Sequence, residues 1–180
     1  MKKQFCFVTS ILILVLFFTA TVSFAQQGIP LKQLMEIGKL KFEKVEGLIK
    51  DHGFITDNRY VDPEDRHSDK RIEASQTAKS TDEEEPDLKR KIWFTEDNFT
   101  ITSHYTNELR YETNDLNEFD TMMEYIHANG FYLDPEFDHY TNGIVSFSLR
   151  DVREKLKNGG FRRNYVFKMK TKIPVPANKK

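Results

Sequence analysis

The segment from 161 to 173 has the most constrained pattern in this chain, because apolar and polar side chains alternate along it. One set of positions carries Phe161, Tyr165, Phe167, Met169 and Ile173, and the other carries Arg162, Asn164, Lys168, Lys170 and Lys172. A period of two is the period of a β-strand, whose successive side chains point to opposite faces of the sheet. This strand therefore buries one face and exposes the other, which favours an antiparallel sheet covered on one side only.

Two segments, 31–52 and 115–129, have the period of an amphipathic helix instead, with apolar side chains three or four positions apart. Asp115 is a suitable N-cap for the second segment, and Glu118 stands where a capping box needs its glutamate. A glycine and then a phenylalanine directly follow each segment, at 53–54 and at 130–131. Glycine commonly ends a helix, because it adopts a positive φ at no steric cost. We therefore predict two main helices.

The two helical segments match each other at an offset of 77 residues, which indicates an internal duplication. The match pairs Phe42 with Phe119, Val45 with Met122, Ile49 with Ile126, Gly53 with Gly130, Phe54 with Phe131 and Asp57 with Asp134. Chance similarity is the alternative, because any two capped amphipathic helices resemble each other. We expect half-repeats over about 31–113 and 115–173, each made of one helix and three strands.

Segments rich in aromatic and β-branched residues predict strands in both halves. These strands are predicted over 54–61, 92–94, 98–113, 131–141, 144–149 and 161–173. Trp93 lies between two apolar residues and is expected in the core, and the dipeptide at 142–143, Asn-Gly, predicts a tight hairpin. The spacing of three apolar residues predicts a short helix over 149–157. The predicted fold class is α+β, with one antiparallel sheet and both main helices on one face.

The segment 62–89 differs from the rest of the chain, because it contains no aromatic residue and ends near the acidic run 82–87. It offers too little apolar surface to offset the entropy of ordering, and we predict a disordered insertion there. The last residues, 174–180, are predicted to form a flexible tail. A single domain over 26–173 remains.

Residues 1–25 have the pattern of a cleavable secretory signal peptide. Two lysines precede a continuous apolar run over 11–18, and Ser23 and Ala25 are small residues at the −3 and −1 positions that signal peptidase reads. An uncleaved anchor is the alternative, because the uncharged stretch is about 20 residues long, enough to cross a bilayer. We expect an extracytoplasmic protein, periplasmic or secreted and bacterial in style, with no membrane span after cleavage.

The residues after the predicted signal peptide carry no recognisable catalytic or cofactor-binding motif. The only cysteine lies inside the signal segment, which excludes a thiolate nucleophile or a disulfide from the mature chain. His52 and His127 lie near the ends of the predicted helices, where a cation is favourable. A metal site formed by His104, His139 and Asp138 is the less favoured alternative. No catalytic residue, cofactor or metal ligand is therefore predicted.

Charge is divided unevenly along the chain, although the formal net charge is only −1. Residues 150–180 carry 11 basic and 2 acidic side chains, whereas residues 26–149 carry 14 basic and 26 acidic ones. The candidate binding residues are the basic face of the last strand, Arg162, Lys168, Lys170 and Lys172. They fit a protein or a polyanionic envelope component. Alternatively, these cations protect a sheet edge or pair with the acidic loop of the same chain.

These patterns predict an exported, non-enzymatic domain that binds another macromolecule through its sheet face or its basic strand. Nucleic acid is disfavoured as a partner, because the domain is slightly acidic overall and is expected to be exported. A small hydrolase of unrecognised type is one alternative, and a carrier with a pocket between helices and sheet is another. In outline, the tandem helix-plus-sheet arrangement resembles the β-lactamase inhibitor proteins. That resemblance implies one concave binding sheet and supplies no site residues.

The processing prediction is testable by intact-mass spectrometry of the exported protein. We expect an N-terminus at Gln26, because the cleavage pattern places Ala25 at the −1 position. A membrane-bound protein that retains Met1 would replace cleavage with anchoring.

Overall fold

The computed structural model describes residues 28–61, 70–78, 87–96, 104–156 and 158–174. Within them, three helices and one antiparallel sheet of eight strands form a mixed α+β fold that is mostly sheet. The helices are α1 (Leu31–Ile37), α2 (Phe42–Asp51) and α3 (Leu116–Ala128). The strands are β1 (Ile55–Tyr60), β2 (Lys70–Ala78), β3 (Leu88–Glu96), β4 (His104–Thr113), β5 (Tyr132–Asp134), β6 (His139–Thr141), β7 (Val145–Lys155) and β8 (Phe161–Pro174). The predicted class is confirmed, but α2 and α3 are each followed by four strands rather than three.

Strand β8 lies in the middle of the sheet, whose order is β1-β2-β3-β4-β8-β7-β6-β5. It pairs with β4 on one side and with β7 on the other. Phe167 and Met169 are each only 1% exposed and belong to the hydrophobic core, as the alternating pattern predicts. That core also contains buried residues of all three helices. We call the sheet surface on this side the helix face and the opposite surface the open face.

The predicted helix over 31–52 is divided into α1 and α2 by a break at Gly38. The side-chain amide of Asn107, on β4, donates to the carbonyl oxygens of Gly38 and Leu40 at 3.0 and 2.9 Å. The carboxylate of Glu96, on β3, accepts a hydrogen bond from the backbone N–H of Phe42 and caps α2. Both contacts come from distant strands, and the local helical period gives no sign of them.

The predicted disordered insertion over 62–89 is wrong for its central part, since β2 occupies Lys70–Ala78. This strand pairs with both β1 and β3, and Ile72 and Ala74 lie in the core. Gln76 is also buried, so alternate residues of β2 face the core, and pairing on both sides stabilises the strand despite its polar composition. Residues 62–69 and 79–86 lie outside the described residues, as do 1–27 and most of the predicted tail.

The predicted helix over 149–157 is also wrong, because β7 continues without interruption to Lys155. Every residue from Val145 to Lys155 has a cross-strand partner on β8. The hairpin predicted at 142–143 is confirmed, with Gly143 at a φ of +87° and the Asn142 side chain accepting the N–H of Val145. In place of the single strand predicted over 131–141, the structure has two short strands, β5 and β6, separated by a turn.

A buried polar cluster joins α3 to the sheet. Asp115 caps α3 as predicted and accepts the N–H groups of Asn117 and Glu118. The Glu118 carboxylate does not complete the capping box and turns instead toward the sheet. It accepts hydrogen bonds from Tyr111 at 2.6 Å, Thr113 at 2.7 Å and Arg90 at 2.8 Å. Burial raises the pKa of the Tyr111 phenol well above its usual range, so the phenol stays neutral and donates.

Glycine is required where the N-terminal segment crosses this cluster. A Cβ on Gly28 would lie 1.5 Å from a Glu118 carboxylate oxygen and 2.9 Å from Arg90 Nε. Residue 28 therefore approaches the ion pair more closely than any side chain permits. The N-terminal segment, α3 and two strands all contact one carboxylate.

The Glu118→Gln substitution tests the contribution of this cluster to stability. Arg90 is only 4% exposed, and the variant removes the nearer of its two carboxylate partners, at 2.8 Å, while Asp115 remains at 3.7 Å. We expect the free energy of unfolding to fall by about 3 kcal/mol in denaturant titrations, as for other broken buried pairs. The matched control is Asp120→Asn, an exposed position on the same helix. Equal stability of the two variants would contradict a structural role for the pair.

Candidate binding face

The open face gathers basic side chains from strands that are far apart in sequence. A shallow depression of about 770 Å³ lies across the middle strands. Among the described residues, its charged lining consists of four cations, Arg71, Arg110, Lys170 and Lys172, and one carboxylate, Glu108. A second depression of about 590 Å³ adjoins it and continues toward β7, where Lys168 and Arg150 are added. The described residues of the two depressions form a continuous surface on which cations outnumber carboxylates.

Three of the four predicted site residues share this surface, and the fourth is separate. Lys168, Lys170 and Lys172 are exposed and alternate with buried core residues on β8. Arg162 also alternates in phase with these lysines, but it lies six residues from Lys168, at a distance of about 20 Å along an extended strand. Its side chain is only 11% exposed and pairs with Glu154. The hydrogen bond from Arg162 is also the main reason that the pKa of Glu154 lies below its usual range.

Trp93 is held on the open face by cations. It lies directly opposite Arg110 across the β3–β4 pair, and the guanidinium carbon is 4.4 Å from the centre of the indole ring. The Lys91 ammonium lies 5.8 Å from the same centre. Arg110 also pairs with Glu112 at 3.1 Å. The expectation that Trp93 belongs to the core is wrong: its neighbours in the chain are buried, and alternation places the indole on the opposite side.

Glu108, the one carboxylate that the described residues give the central depression, neutralises only part of the charge of the cations around it. Glu108 pairs with Lys168 at 2.9 Å, and both side chains remain partly exposed. Lys170 lies directly opposite Glu108 on β4, and Lys172 lies opposite Thr106. Within the part of the chain that the structure describes, neither Lys170 nor Lys172 forms an ion pair. These two ammonium groups are therefore available to an anionic ligand.

Arg71 and Arg110 are the functional candidates that sequence reasoning missed. Arg110 lies between two buried residues, Leu109 and Tyr111, so the alternation within β4 already indicates an outward side chain. Its proximity to the lysines depends on the pairing of β4 with β8. Arg71 lies in the segment that was predicted to be disordered, and no local pattern assigned it to a strand.

A third depression, of about 650 Å³, lies between the N-terminal segment and α3. Its lining includes Leu31, Met122 and Tyr125 together with the Arg90–Glu118 pair. Both carboxylate oxygens of Glu118 already accept hydrogen bonds from the protein. The depression lies at the rim of the helix layer, and its charged groups serve the fold.

Among the described residues, the histidines are not gathered into one site. His52 follows α2 as its C-cap and His127 lies in the last turn of α3, near the helix ends where they were expected. His139 stacks against Phe137 at 5.8 Å beside the second depression. In the described ranges, no three histidine, cysteine or acidic residues are grouped to hold a metal ion. No helix in those ranges is long and apolar enough to span a bilayer.

Comparisons with known proteins do not assign this chain to a family. No family model matches the sequence, no curated protein matches it, and no solved structure matches the fold.

Trp93 is the only tryptophan of the chain, and its fluorescence therefore reports on the open face. We expect Arg110→Ala to increase quenching of this fluorescence by acrylamide, because the guanidinium at 4.4 Å covers the ring. The free energy of unfolding should change by less than about 1 kcal/mol, as for other exposed cation–π contacts. Arg59→Ala is the control, since Arg59 lies over Phe42 instead. Unchanged quenching in the Arg110 variant would show that the stacked pair does not persist in solution.

Proposed function

We propose that this chain is an exported, non-catalytic domain that docks an anionic macromolecule through its open face. The observation that carries the proposal is the convergence of Arg71, Arg110, Lys170 and Lys172 on one depression, where Glu108 is the one carboxylate among the described lining residues. The chain as a whole is slightly acidic, so this local excess comes from the strand order and not from composition. A basic patch on such a protein attracts and orients an oppositely charged partner.

The shape of the open face favours a large partner. The depressions are broad and shallow, whereas a small-molecule site encloses most of its ligand. Hydroxyl groups of Thr95, Thr106 and Ser146 lie among the cations and supply hydrogen bonds to anionic oxygens. Cations on both sides of the β4–β8 pair suit an extended series of carboxylate, phosphate or sulfate groups. An acidic protein segment and an anionic envelope polymer both present such a series.

The proposal includes a duplicated architecture. α2 precedes β1–β4 and α3 precedes β5–β8, and the two sets of four strands follow the same order outward from the β4–β8 border, from the last strand of each set to the first. Gly53 and Gly130 adopt similar φ values of +78° and +74° after the two helices. Phe54 and Phe131 follow them and are both buried. These equivalences support a common origin for the halves, each now containing four strands.

The docking proposal is tested by replacing Lys168, Lys170 and Lys172 with glutamine. The protein should remain folded, because exposed charges typically contribute less than about 1 kcal/mol each to stability. Retention on immobilised heparin and on poly-glutamate should fall sharply, and retention of the unaltered protein should fall as salt is added. Comparison of the two matrices distinguishes sulfated or phosphorylated polymers from acidic polypeptides.

The matched control replaces Lys32, Lys39 and Lys44, three exposed lysines on the helix side, with glutamine. It changes the net charge by the same amount and should leave retention nearly unchanged. An equal loss of retention in both variants would show that retention depends only on net charge, and it would refute a specific role for the open face.

A further inference from the structure

The outer edge of β7 lacks a strand partner over much of its length. Its inner edge pairs with β8 from Val145 to Lys155, whereas β6 pairs with its outer edge only at Ser146 and Phe147. Among the described residues, no strand pairs with the outer side of 150–155. An unpaired edge exposes backbone donors and acceptors that another strand is able to use.

This edge has an ordered charge sequence, Arg150-Asp151-Val152-Arg153-Glu154. Asp151 pairs with Arg163 at 3.2 Å on β8, and Glu154 pairs with Arg162 on the same strand. Arg150 and Arg153 are exposed and form no ion pair within the described residues. The edge therefore presents two cations, Arg150 and Arg153, next to two carboxylates. In each ion pair only one carboxylate oxygen contacts the β8 arginine, namely Oδ2 of Asp151 and Oε2 of Glu154.

We propose that a second copy of this chain pairs antiparallel with the β7 edge, about a two-fold axis at Val152. In this register Arg150 lies opposite the partner's Glu154, and Asp151 lies opposite the partner's Arg153. Val152, which is 43% exposed, lies opposite its own copy. Opposite charges at directly facing positions stabilise a strand pair, and like charges destabilise it. The two arginines without partners thus meet the two carboxylates of the other copy.

Other registers do not give this complementarity. Moving the axis by one residue to Asp151 places Asp151 opposite its own copy. Moving it to Arg153 places Arg153 opposite its own copy. Both alternatives oppose like charges, so the charge order selects one register. A closed two-fold contact of this kind uses the same patch on both copies and gives a dimer.

Backbone direction along β7 agrees with the proposed axis. Lys172 N–H donates to the carbonyl oxygen of Ile144 at 3.0 Å, so residue 144 is hydrogen-bonded to β8. Alternation then directs the backbone groups of Asp151 and Arg153 away from β8. Each exchanges two hydrogen bonds with the facing residue of the partner. Arg150 and Val152 occupy the non-hydrogen-bonded positions, where facing Cα atoms are about 4.5 Å apart and side chains are closest.

The dimer places two open faces next to each other. Facing residues on neighbouring strands project to the same side of the sheet, so the open face of one copy continues into that of the other. Two basic surfaces on one side increase binding to a long polyanion through effective concentration. Dimerisation itself depends only on the β7 edge and stands apart from the docking proposal.

The test uses two charge variants of the exported protein. The acidic variant carries Arg150→Glu and Arg153→Glu, and the basic variant carries Asp151→Lys and Glu154→Lys. Sedimentation velocity over a micromolar concentration series should show reversible dimers for the unaltered protein and monomers for each variant alone. An equimolar mixture of the two variants should form a one-to-one heterodimer, because every facing pair is then of opposite charge. The heterodimer should weaken as salt is added.

Three outcomes would overturn the proposal. The first is that the unaltered protein remains monomeric throughout the series. The second is that one variant alone dimerises as strongly as the unaltered protein. The third is that the mixture does not associate although both variants retain the circular dichroism of the native fold. The first two would leave the edge charges as protection against aggregation. Because Lys155→Glu changes charge on the same strand outside the five-residue register, it serves as the matched control and should preserve the dimer.

Discussion

The pairing of β8 with both β4 and β7 is the interaction on which the rest of the structure depends. This strand is the only border between the β1–β4 half of the sheet and the β5–β7 half, as far as the described residues show. Its Phe167 and Met169 lie in the core under the helices, and the lysines between and beyond them point to the open face. A one-residue slip would exchange these two sets and place ammonium groups in the core. Register, core and candidate binding surface are therefore fixed together.

The sequence predicted the elements whose determinants are local. The alternation of β8, the Asp115 cap of α3 and the Asn142-Gly143 turn all depend on residues close together in the chain, and the structure contains each of them. Elements determined by distant residues were missed. The break between α1 and α2 depends on Glu96 and Asn107, and β2 is stabilised by two neighbouring strands despite its polar composition.

The candidate site follows the same division. The three lysines of β8 were predicted because their spacing is visible within one strand. Arg71 and Arg110 were not, because their proximity to the lysines follows from the strand order. The fold also uses its charges in two different ways. The Arg90–Glu118 pair is buried and joins a helix to the sheet, whereas Lys170 and Lys172 remain in water. Only the second kind of charge is accessible to a partner.

The central place of β8 also has a consequence for how this chain folds. Strand β4 ends at residue 113 and β8 begins at residue 161, so the contacts that join the halves close a long loop. Non-local pairings of this kind slow folding, because loop entropy is lost before the contacts that offset it are made. Lys155 on β7 pairs with Phe161 on β8, so the β7–β8 pairing is local and only the β4–β8 pairing closes the long loop. Until β8 docks on β4, β4 presents an unpaired edge, and the core of the β1–β4 half lacks the Phe167 and Met169 side chains. The sheet is therefore completed only when the β7–β8 pair docks on β4.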